Sequence, residues 1–164
     1  SAYSVYEDYD DGPLLKEREQ FSAFFGSLVS LDEEPRIYEL VWSNFSNQIR
    51  VLLDNKYVFQ PFWHFQNGVK GFENWEELFS NAKKRAAQAL GNRDTKRILT
   101  LIFDRLYVLR NQLLHGGATW SSQVNRDQVQ DGAMVLGQLL PHILDIMLDH
   151  SDHDWGEVYY RVID

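Results

Sequence analysis

Apolar positions along the chain recur at spacings of three and four, and no run alternates long enough to make a clean strand. Pro13 sits where a first helical turn tolerates it, and Leu14, Phe21, Phe24, Phe25 and Leu28 follow at helical spacing. Asp32 can cap a second helix with Glu33, Glu34 and Pro35 in its first turn and a stripe through Ile37, Leu40, Val41, Phe45, Ile49 and Leu52 or Leu53. Pro61, the aromatics Phe59, Phe62, Trp63 and Phe65, and then Gly68 and Gly71 read as a broken, packed connection. A third helix is predicted from Asn74 to just before Gly91, turning Trp75, Leu78, Phe79, Ala82, Ala86 and Leu90 inward. Asn92 restarts a fourth that runs to about Leu114, where Gly116 and Gly117 stop it and Trp120 falls in the following loop. Asn125 caps a fifth over residues 126–149, with Val129, Ala133, Leu136, Leu140, Ile143, Leu144 and Met147 inward and a kink at Pro141. The expected fold is all-α. It is a single bundle of four to five main helices over residues 13–150, between an acidic segment at 1–12 and a short extended tail at 151–164.

Composition narrows the classes. With 164 residues, 44% apolar, the chain is one ordinary domain, and disorder, collagen and disulfide scaffolds drop out. No stretch approaches the ~20 continuous apolar residues of a membrane span. Zero cysteines removes thiol nucleophiles, cysteine-type zinc sites and iron–sulfur clusters, and fits a reducing, cytoplasmic compartment. Residues 1–11 are polar and acidic and do not read as a targeting segment.

Charge is unevenly spread. The chain carries a net charge of -8, yet nine of the 16 Lys and Arg fall in residues 83–126 beside only Asp94 and Asp104. A basic central segment in an acidic body can receive a polyanion locally while the rest repels non-specific binding; the ordinary alternative is a solvated helix surface.

On a helical wheel, residues 93–115 divide into three faces. Ile98, Ile102, Leu106, Leu109 and Leu113 cluster within about 80° as a core stripe. Arg93, Arg97, Thr100, Asp104, Tyr107 and Asn111 share the opposite side. Leu99, Phe103, Arg110 and Leu114 form a shoulder, on which an arginine either reaches past its neighbours into water or meets a second subunit. Arg110 and His115 stand about 140° apart on a regular helix. For the two to cooperate, the helix must unwind before Gly116, or counterparts must meet across a symmetric dimer.

The residue types permit one chemistry in particular. Arginine offers a planar fork of donors that fits phosphate, histidine exchanges a proton near neutral pH, and Asn111 adds a neutral donor and acceptor. Together they suit attack of a ribose 2′-hydroxyl on the adjacent phosphate, with histidine handling the proton and arginine the growing phosphoryl charge. Such a reaction requires RNA and no metal.

The run Arg110-Asn111-Gln112-Leu113-Leu114-His115 resembles the R-x4-H motif of the HEPN superfamily. The stretch YVLRNQLLHGGATWSSQVNRDQV, residues 107–129, is similar to the ApeA-like group. The resemblance implies a helical, usually dimeric bundle and a metal-independent endoribonuclease leaving a 2′,3′-cyclic phosphate and a 5′-hydroxyl. It also implies a toxin–antitoxin or antiphage setting, with an antitoxin or a larger defence protein as partner. Carried onto this chain, Arg110 and His115 would be the catalytic pair, Asn111 would orient them, and two copies would converge through the fourth helix. Arg126, Arg97 and Arg93 are the candidate RNA-phosphate contacts, and Tyr107 a candidate nucleotide contact. The alternative is a non-catalytic module that dimerises or binds RNA or a nucleotide; a structural adaptor is the third reading. No cofactor, metal or membrane partner is expected.

Other polar clusters read as ordinary. His150 and His153 among Asp149, Asp152 and Asp154 read as an acidic surface past a helix end rather than a metal site. His64, between Trp63 and Phe65, reads as a packed histidine holding a carbonyl, and His142 follows Pro141.

Overall fold

The structure is a computed structural model. It describes the backbone of residues 11–114 and 123–156, and side chains over 19–114 and 126–156. All its regular structure is helical among those residues.

The expected count of four to five helices is wrong: among the described residues there are seven. They are α1 (Asp11–Leu31), α2 (Arg36–Glu39), α3 (Ser46–Leu53), α4 (Gln60–Gln66), α5 (Trp75–Gly91), α6 (Thr95–Leu114) and α7 (Gln123–Asp149). A π turn at Leu40–Asn44 joins α2 to α3, and a 3-10 turn at Lys56–Val58 precedes α4.

The additional helices have local causes. The stripe Ile37, Val41, Phe45, Ile49, Leu53 advances by four residues each time, and each member is at most 3% exposed. A straight α-helix overshoots a full turn by 40° per such step, so Leu53 would face about 160° away from Ile37. The chain resolves this with a wider turn, in which the Phe45 amide donates to the Leu40 carbonyl at 3.2 Å, and with a break at Phe45. One expected helix becomes two. The second helix opens only at Arg36, with Pro35 at its N-cap, so Glu33, Glu34 and Pro35 precede it instead of forming its first turn. Asp32, three residues before that cap, still supplies an acceptor, its Oδ2 taking the Ile37 amide at 2.8 Å. The expected broken connection holds α4, whose early Pro61 costs no hydrogen bond in the first turn.

The join between α5 and α6 also departs from expectation. Asn92 does not open α6 but ends α5. The Asp94 amide donates to the Ala89 carbonyl at 3.0 Å and the Arg93 amide to the Leu90 carbonyl at 3.3 Å, the two bonds of a Schellman close. Arg93 occupies the left-handed position of that motif, at φ 51°, where glycine is usual. Asp94 then caps α6, its Oδ1 accepting from the Arg97 amide at 3.0 Å.

The main core joins α1, the α2–α3 segment, α6 and α7 around Phe25, Leu28, Ile49, Ile98, Ile102, Leu139 and Ile146. A smaller aromatic cluster of Phe59, Phe62, Trp63, Trp75 and Phe79 seats α4 on α5. Near the end of α7, the His150 imidazole meets the Leu31 carbonyl at 3.1 Å, and the Trp155 indole donates to the His150 carbonyl at 3.0 Å.

The stripe expected on α7 holds in part: Ile143 is in the core and Val129, Leu136 and Met147 pack against it, but Ala133, Leu140 and Leu144 face outward. The apolar residues most deeply buried are Val135, Leu139 and Ile146 with Ile143. Asn125 lies inside α7 rather than at its cap. The helix continues through Pro141, whose missing amide leaves the Gly137 carbonyl without its usual donor. Among the described residues, α7 is also the one helix long and apolar enough, by length and composition, to cross a membrane.

Candidate functional site

The motif lies at the C-terminal end of α6, and that end is held from below. Tyr57, in the 3-10 turn, offers one carbonyl to two donors: the Gln112 side-chain amide and the Trp63 indole, the latter at 2.7 Å. Asn55 fixes the turn by accepting from the Tyr57 amide at 2.9 Å. Two turns back, Arg105 is buried, its guanidinium 4.7 Å from the centre of the Phe59 ring and its Nη1 3.5 Å from the Val58 carbonyl. The α4 segment and its preceding turn therefore brace the helix that carries the motif.

On this brace Arg110 stands in water, its Nη1 donating to Asn111 Oδ1 at 3.3 Å. Asn111 is half-buried, so it holds the guanidinium against the helix while leaving most of the fork open. Leu113 and Leu114 beside it are 50% and 63% exposed. Leu113 thus leaves the core stripe to which its spacing assigned it, whereas Leu99, assigned to the shoulder, is fully buried. His115, Gly116, Gly117 and Trp120 lie outside the described residues, as do the acidic segment at 1–10 and the tail from 157.

The other cations do not gather round Arg110. Arg97 is exposed in the first turn of α6, thirteen residues or about 20 Å along the helix. There it lines a cleft of 380 Å³ with Ser22, Asp94, Lys96, Thr100 and Leu101. Arg93 points elsewhere and donates to the Tyr38 hydroxyl at 2.9 Å. Lys83 pairs with Asp54 at 3.1 Å. Arg126 is exposed near the start of α7, while Tyr107 is half-buried. The basic segment therefore divides into separate groups, and Arg105 belongs to the interior.

Arg105 and Gln112 are the residues that the sequence reading missed. Both lie within about 60° of Leu109 on the α6 wheel, which is the signal that could have placed them inward. His64 is buried as expected, its ring 4.5 Å from Phe72. The ring contacts of His150 and His153 are the Leu31 carbonyl and Trp155, respectively.

No protein-family model, curated protein or solved structure matches the chain.

Proposed function

We propose that the chain is a metal-independent endoribonuclease of the HEPN type, acting in a toxin–antitoxin or antiphage setting. Arg110 would receive the scissile phosphate, His115 would exchange the proton of the attacking 2′-hydroxyl, and Asn111 would orient the arginine. The observation that carries the reading is the open guanidinium of Arg110, held by Asn111 on the motif-bearing end of α6. The uncovered Leu113 and Leu114 beside it support a homodimer through this helix, bringing two copies of the motif to one cleft.

The test uses single-stranded RNA in EDTA with the wild type, Arg110→Ala and His115→Ala. Cleavage by the wild type alone, leaving 2′,3′-cyclic phosphate and 5′-hydroxyl ends, is the expected result. Saturable RNA binding without turnover, lost in Arg110→Ala and kept in His115→Ala, would replace the nuclease with a binding module. Equal cleavage by all three proteins would remove the motif from the reaction.

A further inference from the structure

We infer that the outer face of α7 is a self-association surface that takes a second copy of this chain in antiparallel register. α7 has two apolar faces, and the fold uses one. Val135, Leu139, Ile143 and Ile146 are at most 5% exposed, whereas Leu140, Leu144 and Leu148 are 45%, 56% and 73% exposed. Ala133, Gly137 and Pro141 are exposed too and lie with those leucines within about 100° of arc. From these exposures the strip opens roughly 400 Å² of contiguous apolar surface, the size of the largest patch on a typical monomer, which is often functional. Doubled across a two-fold, and with its polar rim, it supplies the roughly 1,000 Å² that a specific contact needs.

The strip is complementary to itself in one direction. Small residues, Ala133 and Gly137, fill its first half, and large ones, Leu144 and Leu148, its second. Antiparallel pairing about Leu140 and Pro141 sets Gly137 against Leu144 and Ala133 against Leu148. Among the described residues, a side chain added at Gly137 would meet nothing within 4 Å, which leaves the notch for a partner's leucine. Parallel pairing would stack leucine on leucine and leave notch facing notch.

Charge selects the same direction. Arg126, on the strip's line at the start of α7, is brought towards the acidic end of the partner, where Asp149 closes α7 and the exposed Asp152 and Asp154 follow in the turn. In parallel register Arg126 would face Arg126. A bilayer is the less suitable occupant, because Asp145 and Asp149 flank the leucine half.

The centre of this contact lies away from Arg110, while Arg126, a candidate RNA-phosphate contact, sits at its end. Gly132 packs against Leu106 and Leu109, so Arg110 lies roughly 14 Å along α7 from the Leu140–Pro141 centre. The interface is therefore testable whether or not the chain cuts RNA.

The full chain is followed by light scattering over a hundredfold concentration range, with helicity checked by circular dichroism. Leu144→Glu is expected to halve the assembled mass and leave the helicity unchanged. The chain contains no cysteine, so register can be read by oxidation of added thiols. Gly137→Cys with Leu144→Cys should cross-link two chains, and each single variant should not; seven residues apart on one helix, the two thiols cannot bridge within a chain. A single-chain mass at every concentration, or an unchanged mass in folded Leu144→Glu, would overturn the inference. Efficient cross-linking of Leu144→Cys alone would overturn the register, and sedimentation of monomers with phosphatidylcholine vesicles would give the face to a membrane instead.

Discussion

Arg93 allows a prediction in which the sign alone decides. Its φ of 51° places a branched, charged residue where an L side chain crowds the following carbonyl, at a cost of roughly 1 kcal/mol or slightly more. Replacing it by glycine and by alanine removes the same side chain and the same exposed bond to the Tyr38 hydroxyl. The difference between the two variants therefore isolates the backbone. Inside an ordinary helix, alanine is better than glycine by about 1 kcal/mol. At a left-handed close the order inverts, so Arg93→Gly should be the more stable by about 1 kcal/mol, a swing of about 2 kcal/mol between the two pictures. Urea titration followed by circular dichroism measures it, and the corresponding melting difference is about 2–4 °C for a domain of this size. An Arg93→Ala variant as stable as Arg93→Gly, or more so, would mean that α5 and α6 do not close and restart as described.

Three further comparisons separate groups that look alike in the sequence. Leu106→Ala should lose roughly 2–5 kcal/mol, because Leu106 is 8% exposed and packs against Gly132, while Leu113→Ala, at a half-exposed site, should stay within about 0.5 kcal/mol by denaturant titration. Asp94→Ala should cost about 1 kcal/mol in the same assay through loss of the α6 cap, and Asn92→Ala, with no capping bond from its side chain, measurably less. Arg110→Lys should melt with the wild type yet lose turnover on RNA, since it keeps the charge and loses the fork; a melting loss as large as that of Leu106→Ala would make Arg110 a structural residue.

Helix type was legible nearly everywhere, and Asp32 was legible as an acceptor for the second helix's first turn, though that helix opens only after Pro35. Boundaries were harder where two physical readings share one pattern. The four-residue spacing from Ile37 to Leu53 looks like one helix until its angular overshoot is followed through, and that overshoot is what the π turn absorbs. Pro61 among aromatics suggested a break, yet proline in a first turn is equally a helix start. Asn92 and Asp94 are both good capping types, and only the hydrogen bonds tell the end of one helix from the start of the next. On α7, apolar residues occupy two faces, so periodicity could not say which one the core takes.

At the candidate site, the wheel put Arg110 on a shoulder and Asn111 on the polar face; Arg110 is exposed and Asn111 half-buried, and nothing on the wheel hinted that Leu113 leaves the core. Charge counting treated all nine cations of the basic segment as surface. It missed Arg105, which the ring of Phe59 and the Val58 carbonyl draw inside from a distant part of the chain. Contacts of that range leave no local pattern.

The shared carbonyl of Tyr57 has a consequence for sequence drift. A carbonyl oxygen has two lone pairs, and here an indole and a side-chain amide, 49 positions apart in the chain, use one each. Either donor can be exchanged while the other still moors the turn. Once one has gone, its counterpart becomes intolerant of change, so Trp63 and Gln112 constrain each other's history although neither touches substrate in any scheme considered above.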